Sequence, residues 1–275
     1  MMRYLCMMTL ILAVGIFVVR AASTETQQKP ETVMYVFAHQ DDEADVIGKI
    51  AADLAKSREV YCVWVTAGDR GGPSDVRKQE TIGVTDTLKV PRDHLTFLGY
   101  PDQFAYKHLK EIAADLTKIS ETLHPVEIMS HAYEGGNIDH DAVAMTSDFA
   151  AKKVGAVHLE FPDNNIYNGR TQIWKFLPRD NAPTLYTPLD KKMYDMKMNI
   201  AKMYPSQMTS MSSYVLSCDK KSFKNQGEPY RVAPEYDFTK MPAAELRYFA
   251  TSKGLATFDD WKNAAEEFLA GMKEK

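Results

Sequence analysis

The feature that most constrains the fold of this chain is the alternation of short apolar runs with helical patterns in its first half. The continuous apolar runs 33–38 and 60–65 are typical of strands buried on both faces, and 95–98 and 126–129 are shorter strand candidates. Between them, apolar residues recur at helical spacing, as in 109–123. Strands that alternate with helices indicate βαβ units. The sequence therefore predicts an α/β, Rossmann-like three-layer fold with a mostly parallel central sheet.

The second half of the sequence is less regular. Strands are predicted within 159–177, around a turn at Gly169, and a helix is predicted over about 193–204. Residues 210–235 are predicted to be mostly irregular, whereas 258–272 has a helical pattern. In parallel sheets of this kind, ligands bind at the carboxyl ends of the strands. We therefore expect the segments that follow the four strands of the first half to converge on one site.

The N-terminus has the pattern of an export signal. Arg3 precedes an almost unbroken apolar run over 5–19. That run has roughly 15 residues, fewer than the about 20 that span a bilayer, so cleavage should leave no stable membrane span. The sequence predicts a signal peptide at 1–22, a polar tether at 23–31 and a single folded domain at 32–275. The domain is then secreted or periplasmic, and an uncleaved anchor would also place it outside the cytoplasm.

Charge and cysteine content limit the possible partners. The formal net charge of −4 provides no basic surface of the kind that binds duplex nucleic acid, so a small-molecule or glycan substrate is expected instead. Cys62 lies in an apolar strand pattern that is typical of a buried thiol. Pairing of Cys62 with Cys218 is possible in an oxidising compartment, and the sequence leaves it open.

A dense group of polar side chains follows the first strand. Residues 39–43 contain one imidazole and three carboxylates directly after a buried run. A helix cap would need only one of these acids and would not need His39. A tight turn could aim His39 and Asp42 at one point, and the loop after the fourth strand offers His131 and His140 as further ligands. Two imidazoles and one carboxylate suit Zn²⁺, although Fe²⁺ uses the same ligand types.

These residues resemble the signatures of the GlcNAc-PI de-N-acetylase family, the PIG-L or LmbE-like zinc deacetylases. The sequence Ala-His-Gln-Asp-Asp-Glu at 38–43 is similar to the family's Ala-His-Pro-Asp-Asp-Glu. The sequence Gly-Gly-Asn-Ile-Asp-His at 135–140 is similar to its Gly-Gly-His-Pro-Asp-His. Weaker similarities lie at 68–72, 97–102 and 228–231, and the resemblance spans about 33–231.

The resemblance implies a role for each matching residue. It implies that a zinc ion is held by His39, Asp42 and His140 and that Asp41 is the general base. It also implies that Arg77 and Asp102 contact sugar hydroxyls near the rim of the site. For Arg77, an ordinary solvated position on a helix is an equally plausible interpretation. The implied reaction is hydrolysis of an N-acetyl group on an amino sugar, which releases acetate and a free amine.

One residue departs from the family pattern. Asn137 stands where the family has a histidine that stabilises the oxyanion and handles a proton. Asparagine can donate a hydrogen bond to an oxyanion, but it cannot act as a general acid at neutral pH. The resemblance therefore leaves three outcomes open. The enzyme is slow, or another group such as His131, Tyr133 or Asp41 delivers the proton, or the domain binds without turnover.

Two alternatives to a sugar deacetylase follow from the sequence. The first is an exported, non-catalytic carbohydrate-binding protein with a vestigial metal site. The second is a zinc amidase for a non-sugar substrate, because Tyr100, Phe104, Tyr106 and Trp174 could line an apolar pocket or equally belong to the core. A nucleotide-binding protein is disfavoured, because the glycine-rich loop at 68–72 lacks the spacing and the lysine of the phosphate-binding motifs.

Overall fold

A computed structural model describes residues 29–243, 245–248 and 254–273 of the chain. The signal-peptide prediction for 1–22 and most of the predicted tether lie outside these residues. Within the described part, no helix has the length and apolar character required to cross a membrane. The strands are β1 Thr32–Phe37, β2 Glu59–Thr66, β3 Leu95–Tyr100, β4 Glu127–His131, β5 Val157–Phe161, β6 Asn164–Tyr167, β7 Arg170–Ile173, β8 Leu185–Thr187 and β9 Glu228–Val232.

Helices connect the strands in the order that the sequence predicts for βαβ units. Short 3₁₀ turns precede several of them, and the turn Asp42–Val46 leads directly into the first helix. The α-helices are α1 Ile47–Ala55, α2 Ser74–Leu88, α3 Leu109–Leu123, α4 Ile138–Val154, α5 Lys191–Met198, α6 Met208–Ser217, α7 Lys220–Asn225 and α8 Phe258–Lys273.

The central sheet has seven strands in the order β3-β2-β1-β4-β5-β9-β8. The first five run parallel, whereas β9 and β8 are antiparallel additions at one edge. Successive side chains of β1 alternate between two apolar clusters. Val33, Tyr35 and Phe37 pack towards α1 and α2, and Met34 and Val36 pack towards α3, α4 and α8. Helices thus cover both faces, and the predicted α/β fold with a mostly parallel central sheet is confirmed.

The second half differs from the sequence-based expectation. Residues 210–235 are not irregular, because they form most of α6, all of α7 and the strand β9. These elements are short and have weak periodicity, and β9 is held by tertiary pairing with β5 and β8 rather than by a hairpin of its own. The turn at Gly169, with φ 70°, joins the β6–β7 hairpin as predicted. Cys62 and Cys218 are both buried and free.

Candidate active site

The loops at the carboxyl end of the parallel strands meet at one place. His39 follows β1, and its Nε2 lies 3.3 Å from the carboxylate of Asp102, which follows β3. The Nε2 atom of His131, the last residue of β4, lies 3.0 Å from Asp42. The loop after β2 also joins this group, because the backbone N–H of Arg70 donates to Asp102 at 3.1 Å. The sheet therefore gathers residues from four separate segments, as the strand-end rule requires.

Three of the gathered side chains form a candidate metal site. His39 Nδ1 lies 3.4 Å from the Asp42 carboxylate and 3.2 Å from His140 Nε2, and His140 Nε2 lies 3.5 Å from the same carboxylate. Ligands about 2.0–2.1 Å from a tetrahedral ion lie roughly 3.3 Å from one another, which matches this spacing. Two ring nitrogens that face each other beside a carboxylate also need a proton or a cation between them. The donor set and its spacing therefore fit Zn²⁺, and Fe²⁺ by ligand type.

The other nitrogen of each imidazole is held by a carboxylate. His39 Nε2 lies 3.2 Å from Asp139 and 3.3 Å from Asp102, and His140 Nδ1 lies 3.1 Å from Asp163. Such partners fix the tautomer and the ring orientation of metal-binding histidines. Sequence reasoning assigned no role to Asp139 or Asp163. The position of Asp163, directly after the parallel strand β5, was the available signal for it.

Asp41 has a strained backbone and a carboxyl group with an unusual environment. Its φ of 143° lies in a region that L-residues rarely adopt, which indicates a conformation imposed by the surrounding structure. Burial raises the pKa of the Asp41 carboxyl to about 7, although the nearby Arg77 guanidinium opposes that shift. A carboxyl group with a pKa near neutrality is suited to accept and return a proton at physiological pH.

Arg77 is buried beneath Asp41 and is not solvated, with only 4% of its surface exposed. Its guanidinium donates to the carbonyl oxygens of Gln40 and Gly68 and, at 2.7 Å, to the Asp41 carboxylate. The structure thus gives Arg77 the task of holding the loop and Asp41 in place. The role in sugar binding that the family resemblance implies for Arg77 stays a prediction.

Asp102 is also buried rather than placed at a rim. Its carboxylate accepts from the side-chain amide of Gln103 at 3.1 Å and from the backbone of Arg70, in addition to its contact with His39. These contacts orient an imidazole of the candidate metal site. Substrate binding by Asp102 stays a prediction.

Asn137 directly precedes α4 and is one of the residues that line the cleft beside the candidate metal site. Its side-chain oxygen accepts from the backbone N–H of Asp139 at 2.9 Å, which makes it the N-cap of the helix. Its oxygen therefore serves the helix, and its amide nitrogen is the group that can donate to a substrate. This second role in the local structure was not evident from the motif alone.

His131 and Tyr133 do not line the cleft that Asp41 and Asn137 share. Burial lowers the pKa of the His131 imidazole to about 4, so it is neutral, and its ring stacks on His140 at 3.9 Å between centroids. The Tyr133 hydroxyl is bonded to backbone carbonyls of Phe238 and Lys240 in the core. Of the proton carriers considered from sequence, Asp41 alone therefore faces this cleft.

The cleft beside the candidate metal site has a volume of about 160 Å³. The aromatic residues that could have formed an acyl pocket, Tyr100, Phe104, Tyr106 and Trp174, are not among its lining residues. The lining is mostly polar and consists of Asp41, Asp42, Asp45, Asn137, His140, Asp163, Asn164, Ser210, Met211 and Tyr214.

Gly136 is required by a close approach of two backbones. A Cβ atom at this position would lie 1.7 Å from the backbone oxygen of Asn164. We expect Gly136→Ala to lower the free energy of unfolding by about 1–3 kcal/mol, because the loop before α4 must move. Gly83→Ala is the matched control, because nothing lies within 4 Å of its Cβ in α2, and it should gain roughly 0.5–1 kcal/mol. Urea unfolding of both variants measures the difference, and equal effects would contradict the steric explanation.

Comparison with known proteins supports the motifs. Residues 34–152 match the family model PIG-L, described as GlcNAc-PI de-N-acetylase. The predicted family resemblance is confirmed. The matched segment contains both family signatures and all three candidate metal ligands of this chain. Among curated protein sequences, none matches the chain significantly.

Solved structures show the same fold at low sequence identity. A deacetylase from the teicoplanin biosynthesis pathway is 17% identical with a TM-score of 0.61, and the match covers 75% of this chain and 99% of that one. N,N'-diacetylchitobiose deacetylase from Pyrococcus horikoshii is 16% identical with a TM-score of 0.52, covering 75% and 85%. The 4-carboxy-2-hydroxymuconate hydratase from Pseudomonas putida KT2440 is 16% identical with a TM-score of 0.51, covering 71% and 87%. Because these neighbours include deacetylases and a hydratase, fold similarity leaves the reaction to be argued from the site.

Proposed function

We propose that this protein hydrolyses the N-acetyl group of an amino sugar or sugar conjugate and releases acetate and a free amine. The observation that carries the proposal is the convergence of His39, Asp42 and His140 at one point beside Asp41, in a polar cleft. The family match and the deacetylases among the structural neighbours support the same reaction.

Each residue at the site has a task that its geometry supports. A bound Zn²⁺ would act as a Lewis acid that acidifies water and polarises an amide carbonyl. His39, Asp42 and His140 would hold it. Asp41 takes a proton from the attacking water and can pass it to the leaving nitrogen, and Arg77 holds Asp41 for that purpose. The amide of Asn137 can donate to the developing oxyanion.

Turnover and metal content, measured together, test this proposal. The purified protein is incubated with N-acetylglucosamine and N,N'-diacetylchitobiose, and free amine and acetate are measured. Elemental analysis then identifies the bound metal, which decides between zinc and iron. We expect chelation to abolish product formation and added Zn²⁺ or Fe²⁺ to restore it. A protein with stoichiometric metal that releases neither amine nor acetate would contradict the proposal.

A second candidate function rests on one observation, the asparagine at position 137. A carbohydrate-binding protein with an inactive metal site would also hold metal and sugar, but it would lack turnover. The assay above separates these two functions directly. A zinc amidase for non-sugar substrates receives no comparable support, because the four aromatic residues considered for its pocket do not line the cleft.

Asn137→His tests whether position 137 limits the rate. The histidine adds a group that can act as a general acid, so we expect kcat to rise at least about tenfold. Loss of the N-cap should lower the free energy of unfolding by about 0.5–2 kcal/mol. Asn137→Ala is the control, since it loses the same cap and gains no imidazole. If Asn137→His is no faster than the original protein, another group already supplies the proton.

We also propose that the domain acts outside the cytoplasm. The support is the apolar N-terminal run after Arg3, together with the small residues at 21–23. The intact mass of the protein recovered from the periplasm or the medium tests this. A protein that stays in the cytoplasm with its first 22 residues attached would reject it.

A further inference from the structure

Asp45 is a buried carboxylate that is held on one side only. It lies on the 3₁₀ turn Asp42–Val46, three residues after a candidate metal ligand, and 7% of its surface is exposed. Its Oδ1 accepts from the indole nitrogen of Trp174 at 2.5 Å. Its Oδ2 is buried and has no hydrogen-bond partner among the described residues. Asp45 is also one of the residues that line the active-site cleft.

A buried carboxylate oxygen without a partner is costly, and structures that keep one usually use it. Burial and the neighbouring Asp163 raise the pKa of the Asp45 carboxyl well above its usual range, which reflects the same poor solvation. The hydrogen bond from Trp174 holds Oδ1 and thereby orients Oδ2. Its place in the cleft wall indicates that the missing partner is supplied by a ligand.

The charge of the cleft limits what that ligand can be. Four aspartates line it, and none of the described lining residues is a lysine or an arginine. The other polar side chains of the lining are one imidazole, two amides and two hydroxyls. Among them, Asn164 donates to the Tyr214 hydroxyl at 3.0 Å, which leaves the Tyr214 proton available to a ligand. A substrate group with its own negative charge would be repelled by Asp45 and the neighbouring Asp163, whereas a hydroxyl group can satisfy a carboxyl oxygen without a charge.

We infer that Asp45 is a substrate-binding residue that hydrogen-bonds a hydroxyl group of an uncharged, hydroxylated N-acetyl substrate. This inference rests on the proposed function, because it assigns the sugar end of the same cleft. Asp45 then decides between substrates. It favours an N-acetyl sugar over an N-acetyl amino acid, whose free carboxylate would face the aspartates.

Asp45→Asn tests the inference through substrates that lack single hydroxyls. The asparagine oxygen can still accept from Trp174, but the second carboxyl oxygen is replaced by an NH₂ group, which donates and cannot accept. We expect kcat/KM for N-acetylglucosamine to fall about 10- to 100-fold. With the original protein, one of the 3-, 4- and 6-deoxy analogues should have a kcat/KM that is lower than that of N-acetylglucosamine by a similar factor. Asp45→Asn should lower kcat/KM for that analogue little further. Calorimetric binding of N-acetylglucosamine and of glucosamine should weaken in parallel.

Thermal unfolding without ligand separates binding from structure. Because Asp45→Asn removes a poorly solvated carboxylate, the variant should melt at the original temperature or above it. Asp115→Asn is the control, since Asp115 also accepts from an aromatic side chain, the Tyr100 hydroxyl, and lies outside the cleft lining. It should leave sugar binding and the deoxy series unchanged.

Three outcomes would overturn the inference. These are a deoxy series that responds identically in both proteins, unchanged binding of both sugars, and an Asp45→Asn protein that fails to fold or melts well below the original. If no acetate is released by any protein but Asp45→Asn still weakens sugar binding, the inference stands and the proposed reaction falls. If acetate is released and the variant binds and reacts like the original, the reaction stands and the inference falls.

Discussion

Asp41→Asn is expected to lower kcat by about 10²–10⁴ while the metal content stays unchanged. Asp41 presents a carboxyl group with a pKa of about 7 to the cleft, and asparagine cannot take up a proton there. The substitution keeps the shape of the side chain, and aspartate already holds φ 143° at this position, so the turn should survive with asparagine. Steady-state kinetics and elemental analysis on the same preparation provide both readouts.

The neighbouring residue supplies a control for this prediction. Asp42 lies between the two imidazoles of the candidate site, so Asp42→Asn should lose metal and turnover together. The two variants differ by one position in the chain and make the same change from carboxyl to amide. If Asp41→Asn also loses the metal, Asp41 acts as a ligand or supports one. If it keeps more than roughly a tenth of kcat, the assignment of the general base is wrong.

Much of the first half of the fold could be predicted because its signals are local. Helix α3 has the ends that its apolar periodicity predicts, and β1 and β2 differ from the predicted runs by one residue at most at either end. The rule that ligands bind at the carboxyl ends of parallel strands then predicts the location of the candidate site from the strands alone. The short elements between 208 and 232 were missed, because their formation depends on packing against the rest of the sheet.

The sequence predicts which residues belong to the candidate site better than it predicts the surroundings of each residue. The motif indicated Arg77 but not that it is buried and turned towards Asp41, because the sequence does not show which face of α2 meets the loop. Asp45 and Asp163 carry no motif, and they matter only because β1 and β5 bring them to the same cleft. Spacing along a chain predicts which residues share a turn, whereas the partners of a buried carboxylate come from elsewhere in the fold.

One long-range contact holds the turn that carries the candidate ligand Asp42. Lys197 on α5 is fully buried, and its ammonium group donates to the backbone oxygens of Ala44 and Asp45 at 2.7 and 2.6 Å. It also forms an ion pair with Glu228 at 3.2 Å. The other oxygen of Glu228 accepts from the backbone of Lys49, in the first turn of α1. This pair therefore satisfies backbone groups on both sides of the junction between the 3₁₀ turn and α1.

Lys197→Met should accordingly lower the free energy of unfolding by about 3–5 kcal/mol, since it leaves Glu228 as a buried charge without its partner. The affinity for metal should also fall, because the turn that holds Asp42 loses two of its hydrogen bonds. The double variant Lys197→Met/Glu228→Gln should regain part of the stability, because the unpaired charge is gone. Lys191→Met, on the exposed side of the same helix, should change neither quantity measurably. Urea unfolding and metal titration check all four proteins, and a Lys197→Met protein as stable as Lys191→Met would show that the buried pair does not hold the turn.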